Sequence, residues 1–286
     1  VVKELVENAL DADATHITVD IDGGGVELIR VTDDGVGISG IDIELAIQRH
    51  ATSKLITEGD LERIATMGFR GEALPSIAAV SRMMLSSRSR GSNEGRYLHV
   101  DDGVVTNKGI IGSAEGTTVS VRDLFYKLPA RKKFLNSASA EVGRIHAVII
   151  QLALAYPQVR FKLSVNEKEK FVSPGNNRFF DVLTAVYGSD VTDRMLEVCR
   201  LDKDGWSAWG YVSSYSLHRS NRRAINFYVN RRWVQNRILT QAVEGAYSGM
   251  LMVGRYPIVS LHLELPPHEL DVNVHPTKRE VRFYDQ

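Results

Sequence analysis

One cysteine in 286 residues, Cys199, leaves no partner for an internal disulfide and too few thiolates for a cysteine-built zinc site. Neither sign of charge dominates: Lys plus Arg is 35 and Asp plus Glu is 35, so no whole-chain field draws nucleic acid or acidic substrates. Any such affinity must come from a local patch. Long apolar runs are also missing. The longest, Ile145 to Tyr156, is interrupted by His146 and Gln151 and falls short of the roughly 20 residues that a bilayer requires. There is no G-x-x-x-x-G-K-[ST] P-loop, no internal repeat, no low-complexity tract and no signal or transit peptide. These absences make a soluble, cytoplasmic protein with no membrane partner the expectation.

What is present is an ordinary globular composition, 43% hydrophobic and 24% charged, at a length that suggests two domains of roughly 150 residues. Val2, Leu5, Val6 and Ala9 recur at helical spacing and predict a helix over residues 1–15. Strands are expected at 16–21 and 26–31 around the turn Asp22-Gly23-Gly24-Gly25, then a helix at about 41–50 and a long loop over 51–71. A helix at 73–80, strands near 82–88, 95–100, 103–110 and 116–121, a long helix at 140–156 and a strand at 160–165 follow. Ser173-Pro174-Gly175-Asn176-Asn177 reads as the linker, giving domains 1–176 and 177–286. Beyond it a helix at 179–187, strands near 206–214 and 224–230, a helix at 234–248 and strands near 257–264 and 278–284 are expected. Hairpin-linked strands mixed with helices point to the α+β class. The first residues already lie inside a helical pattern and the last inside a strand pattern, so the chain reads as a fragment cut at both ends.

Five clusters carry chemistry. The first helix presents Glu4, Glu7, Asn8 and Asp11, with Glu4 and Asn8 one turn apart. Acid and amide on one stripe suit a hydrated divalent cation and an activated water, although a solvated helix face has the same look. Next, Asp33-Asp34-Gly35-Val36-Gly37 ends a strand. Gly35 to Gly40 spells the dinucleotide fingerprint literally, but no acidic residue ends a second strand about 20 positions on, and two carboxylates would repel a pyrophosphate. An aspartate there can instead accept from an adenine amino group while the glycines let the backbone approach the base. Gly68-Phe69-Arg70-Gly71 before a helix offers free N–H groups to an anion, and Gly116-Thr117-Thr118 places hydroxyls at a strand start. Far along the chain, Pro276 sets a rigid turn that aims Lys278, a point charge suited to a terminal phosphate.

Together, Glu4 with Asn8, Asp33-x-Gly35-x-Gly37, Gly68 to Leu74 and Gly116-Thr117-Thr118 resemble, in order, the nucleotide motifs of the GHKL ATPases. The wording Val1 to Asn8, Arg49 to Lys54, Gly68 to Leu74 and Asp271 to Lys278 is similar to the MutL mismatch-repair branch of that superfamily. The resemblance runs the full length. It implies a GHKL (Bergerat) α/β sandwich followed by a ribosomal-protein-S5-like βαβ domain, with ATP and Mg²⁺ as ligands and slow ATP hydrolysis driving closure and DNA clamping. It implies Glu4 as general base, Asn8 as the Mg²⁺ ligand, and Asp33 as the adenine acceptor assisted by Thr118. Gly35 and Gly37 would line the base. Thr52, Lys54, Gly68, Phe69, Arg70, Gly71 and Leu74 would form a lid over the phosphates, and Lys278 would reach the γ-phosphate. Partners implied are DNA, a MutS-type mismatch sensor, a downstream endonuclease or helicase, and a second copy in the full-length ATP-bound state. Family members carry a further N-terminal segment that crosses to the other subunit and a C-terminal dimerisation domain; neither is in this sequence, so no nuclease domain is expected in it.

The candidate for the local patch that any nucleic-acid affinity would need lies between Arg219 and Arg237. Arg219, Arg222, Arg223, Arg231, Arg232 and Arg237 face no acidic residue in that stretch. Arg237 also resembles a position in the family's DNA groove, with Arg231 and Arg232 as companions. Two alternatives stay open at this point: a gyrase-type topoisomerase ATPase fragment, and a nucleotide-switched DNA-binding scaffold without turnover.

Overall fold

A computed structural model describes residues 1–48, 72–203, 205–266, 270–271 and 282–283. It divides into two compact units, Val1–Ile150 with Gln158–Asn176, and Gln151–Pro157 with Asn177–Gln286. The first unit runs α1 (Val2–Asp11), β1 (His16–Asp22), β2 (Leu28–Asp33), α2 (Ala73–Ala78), β3 (Arg82–Arg88), β4 (Gly95–Asp101), β5 (Val104–Ile111), β6 (Gly116–Arg122), α3 (Pro129–Lys132), α4 (Ala138–Ala155), β7 (Arg160–Val165) and β8 (Lys168–Val172). Its sheet has the order β5-β4-β3-β6-β2-β1-β7-β8. Every neighbouring pair is antiparallel except β1 and β7. One face is buried because apolar residues alternate with polar ones: Ile17, Val19 and Ile21, then Met83 and Leu85, then Phe161 and Leu163. Val2, Leu5, Val6 and Ala9 of α1 are buried, as their spacing predicts, and α1 packs on β1 and β2.

The second unit runs α5 (Phe179–Tyr187), α6 (Ser189–Thr192), β9 (Met195–Lys203), β10 (Trp206–Ser213), β11 (His218–Arg219), β12 (Ile225–Val229), β13 (Arg232–Val234), α7 (Arg237–Ala246), β14 (Tyr256–Pro257), β15 (Val259–Glu264), β16 (Leu270–Asp271) and β17 (Arg282–Phe283). Its main sheet is β13-β12-β15-β10-β9, with β12 and β15 parallel, so the segment holding α7 is the crossover of a βαβ unit. Leu239 and Val243 of α7 cover Phe227, Val229 and Val259 on one sheet face. On the other face Trp209, His262 and Tyr228 stand in register and stack, with ring centroids 4.1 and 4.8 Å apart. Burial pushes the His262 pKa down to about 4, so the ring is neutral at physiological pH. The whole is α+β, as expected.

Several expectations are corrected. The helix expected at 41–50 does not form over its described part: turns lead to a short 3₁₀ segment, Leu45–Ile47. The Ser39 hydroxyl donates to Asp42 Oδ2 (2.6 Å) and accepts from Asp42 N (3.2 Å), a local turn that competes with the helical ladder. Ser173 to Asn177 is not a loose linker. Ser173 is fully buried, its hydroxyl accepting from Phe161 N (2.8 Å) and facing Val159 O (3.2 Å). Helix α4, 18 residues long, is long and apolar enough to cross a bilayer by length and composition, against the expectation that no run is. Its last turn, Leu152 to Ala155, is nevertheless buried in protein. Strands β8 and β9 were not legible, since most of their residues are exposed and charged or mixed. Of the strand expected at 278–284 only Arg282–Phe283 is described, paired with β16.

Candidate functional site

Adjacent aspartates at the end of β2 do different work. Asp33 lies opposite Thr117 of β6 in the ladder. Its Oδ1 accepts from Gly35 N (2.9 Å) and Thr117 N (3.3 Å), while Oδ2 has no partner among the described residues. Burial pushes the carboxyl above its usual pKa; those two N–H groups pull the other way, and the Asp34 charge adds to the rise. A carboxylate that holds its proton more tightly is a better acceptor, and here it has one oxygen fixed and one open.

Asp34 turns the other way and ties the strand to the α1–β1 turn. Its Oδ1 accepts from Thr15 N (2.7 Å) and His16 N (2.8 Å), and its Oδ2 from the Thr15 hydroxyl (2.6 Å), with His16 Nδ1 at 3.0 Å. Partial burial raises its pKa, but these bonds outweigh it and bring the value down to about 2. Because the folded value lies below the unfolded one of about 3.9, the stabilisation is present above that pH and fades as pH falls toward 2. The side chain is 40% exposed, which screens the effect to about 1 kcal/mol. Asp34→Ala should therefore lower the melting temperature at pH 7 by about 2–4 °C, with the gap to wild type closing as the pH is taken down to about 2. An unchanged melting temperature at pH 7 would contradict the clamp.

The glycines after Asp34 are demanded by backbone packing. A Cβ on Gly35 would lie 2.6 Å from Ala12 O, and Gly37, at φ +71°, would put one 2.2 Å from Arg88 O. Val36 N donates to Ala12 O (2.9 Å) and Arg90 N to Val36 O (2.9 Å), so the turn is held from both sides. Ser87, buried, completes it. Its hydroxyl accepts from Ile38 N (2.8 Å) and lies 2.9 Å from both Gly116 O and Thr117 Oγ1. Thr118 is not beside Asp33. Directly paired residues share a sheet face and successive ones alternate, so Thr117 shares the face of Asp33 while Thr118 faces away with Thr32, to whose Oγ1 it donates at 3.2 Å. Thr117, which the sequence offers only as a neighbour of Thr118, and Ser87, which it does not single out, are the hydroxyl residues in register with Asp33 on this sheet face.

On α1, Glu4 is exposed and Asn8 half-buried one turn later. Glu7 does not belong to their polar stripe: it is buried, with Lys3 Nζ 3.6 Å from its Oε1. Among the described residues no three His, Cys, Asp or Glu side chains gather as a metal site. One neutral amide oxygen fits a magnesium ion that takes most of its ligands from water and substrate phosphates. Leu74 is half-buried in α2. Thr52, Lys54, Gly68, Phe69, Arg70, Gly71 and Lys278 lie outside the described residues.

The arginine patch is smaller than its sequence suggests. Glu244 of α7 holds Arg222 through both carboxylate oxygens, one to Nη2 at 3.1 Å and one to Nε, and the guanidinium sits over the Tyr256 ring at 4.7 Å. Its charge is neutralised by an acid that lies beyond the 219–237 stretch. Arg232 is half-buried in β13 opposite Val229. Arg231 is exposed at the hairpin tip, its guanidinium 5.8 Å from the Tyr156 ring centroid. Arg237 is exposed at the first position of α7, where the helix N-terminus adds positive potential.

Comparisons with known proteins follow the same division. Residues 1–120 match the family model of histidine kinase-, DNA gyrase B- and HSP90-like ATPases, and residues 183–286 that of the DNA mismatch repair protein C-terminal domain. The chain is 50% identical over 283 residues to the DNA mismatch repair protein MutL of Heliobacterium modesticaldum, covering 99% of this chain and 43% of that protein. It is similar to the solved Aquifex aeolicus MutL ATPase domain complexed with ADP, at 30% identity and a TM-score of 0.71, covering 93% of this chain and 90% of that one. It is also similar to a solved N-terminal domain of a DNA repair protein, at 28% identity and a TM-score of 0.82 over 99% and 87% of the two chains. The chain spans about half the length of the curated relatives it matches. With such relatives along its whole length, the topoisomerase alternative is not favoured, and the chain belongs to the MutL family of DNA mismatch repair proteins.

Proposed function

We propose that the chain binds ATP at the Asp33 end of β2 and hydrolyses it slowly in the service of DNA mismatch repair. The observation that carries this reading is the Asp33 carboxylate, anchored through Oδ1 and open at Oδ2 on the sheet of a GHKL-type unit. Oδ2 would accept from the adenine amino group, with Thr117 and Ser87 beside it in place of Thr118. The Asn8 amide oxygen would hold Mg²⁺, and the Glu4 carboxylate would orient a water and take its proton. The ion, when bound, supplies positive charge against the triphosphate. Calorimetry and phosphate release on the purified chain test the reading together. Saturable Mg-ATP binding with turnover is expected, and no nucleotide binding at millimolar concentration would overturn it. Binding without turnover would favour the scaffold alternative.

In the same proposal the exposed Arg237 and Arg231 contact DNA phosphates, while the half-buried Arg232 contributes less. Mismatch sensing, strand removal and N-domain dimerisation would fall to a MutS-type sensor, a downstream endonuclease or helicase, and a second copy, in the cytoplasm. Arg237→Glu should weaken duplex binding about tenfold or more across unrelated sequences, flatten the salt dependence and leave ATP affinity unchanged. Equal binding by the variant at about 50 and 200 mM salt would remove Arg237 from the interface.

A further inference from the structure

The turn after α7 carries apolar side chains where a soluble surface has no use for them. Met250, Met252 and Val253 are 62%, 82% and 105% exposed, with Leu251 half-buried between them. Single exposed hydrophobics are ordinary, but a run of this kind marks a contact surface. Gly249 and Gly254, both at φ +79°, bracket the run, and Arg255 N donates to Met252 O (3.0 Å), so the tip is a defined turn. Its base is cationic. Arg219 pairs in register with Tyr256, two residues beyond Gly254, and Arg219, Arg223 and Arg255 are exposed, with no ion pair among the described residues. Arg222, stacked on Tyr256 and held by Glu244, stiffens that base rather than adding to its charge.

We infer that this tip is a wedge for duplex DNA: Met252 and Val253 enter between base steps while Arg219, Arg223 and Arg255 hold the flanking phosphates. An apolar point with cations at its base fits a partner with an anionic rim and an apolar interior, and apolar side chains, methionine and leucine among them, are what minor-groove wedges insert to unstack and kink a duplex. This inference rests on the proposed DNA-binding reading and adds a contact distinct from Arg237 and Arg231.

The test uses the whole chain and a duplex of about 30 base pairs labelled at both ends for energy transfer. Wild type should bend the duplex and raise transfer. Met252→Ser combined with Val253→Ser should bind about tenfold more weakly and lose the bend with an unchanged salt slope, because no charge is removed. Met252→Leu should keep the bend, and Arg255→Ala should lower the salt slope by about one. A double-serine variant that binds and bends like wild type would overturn the wedge and leave the DNA reading standing. Absence of duplex binding by wild type at about 50 mM salt would overturn both. Tip-dependent capture by phosphatidylserine vesicles without any DNA effect, or a lower sedimenting mass for the double variant, would reassign the tip to a membrane or to a second copy and overturn the inference.

Discussion

Glu4→Ala should leave Mg-ATP affinity within about twofold of wild type while phosphate release falls by about 100-fold or more, the usual worth of a positioned general base. The substitution sits on the exposed face of α1, and alanine is a good helix former, so the buried stripe Val2, Leu5, Val6 and Ala9 keeps its packing. In the proposed reading Asn8, one turn later, has the other role. Asn8→Ala should lose Mg-ATP binding as well as turnover, because it removes the only neutral oxygen that the stripe offers an ion. Titration calorimetry and a phosphate-release assay on the two variants separate the roles. Equal loss of nucleotide affinity in both would refute the division of labour.

Asp33→Asn should cost about 100-fold in ATP affinity with little change in melting temperature. Asparagine keeps the shape and one acceptor oxygen. If that oxygen stays on Gly35 N and Thr117 N, the amide NH₂ replaces Oδ2 and meets the adenine amino group donor to donor. If the amide flips, the donor clash moves to the two backbone N–H groups. Either arrangement forfeits a hydrogen bond to a charged acceptor, worth about 1.5–3 kcal/mol, and adds a repulsion. Binding isotherms with the variant at matched stability check this, and wild-type affinity would remove Asp33 from the base site.

How much of this was legible in sequence follows from the range of each interaction. The buried stripe of α1, the alternation of β1, β3 and β7 and the Asp33-Gly35-Gly37 cluster are local patterns, and each stands where it was expected. The hydroxyl beside Asp33 depends on the β2–β6 register, across 84 residues, and a shift of one residue moves a side chain to the opposite face. Thr117 and Thr118, adjacent in sequence, therefore cannot be told apart without the register. The Asp34 clamp needs the chain to return Thr15 and His16 from 19 and 18 residues away, and Glu244 reaches Arg222 across 22. No window of sequence displays those partners. The turn at Ser39 and Asp42 is different: the residues that compete with the helix are close in sequence, and their side-chain bonding outweighs the apolar spacing that predicts a helix.

The measurement closest to the central claim compares Mg-ATP with inosine triphosphate, which carries a carbonyl where adenine has its amino group. If Asp33 Oδ2 accepts from that amino group, wild type should bind ATP about 100-fold more tightly than the inosine nucleotide, since two acceptors would then face each other. The preference should shrink to a fewfold in Asp33→Asn, whose amide can donate to the carbonyl. Equal affinity of wild type for the two nucleotides would contradict the account.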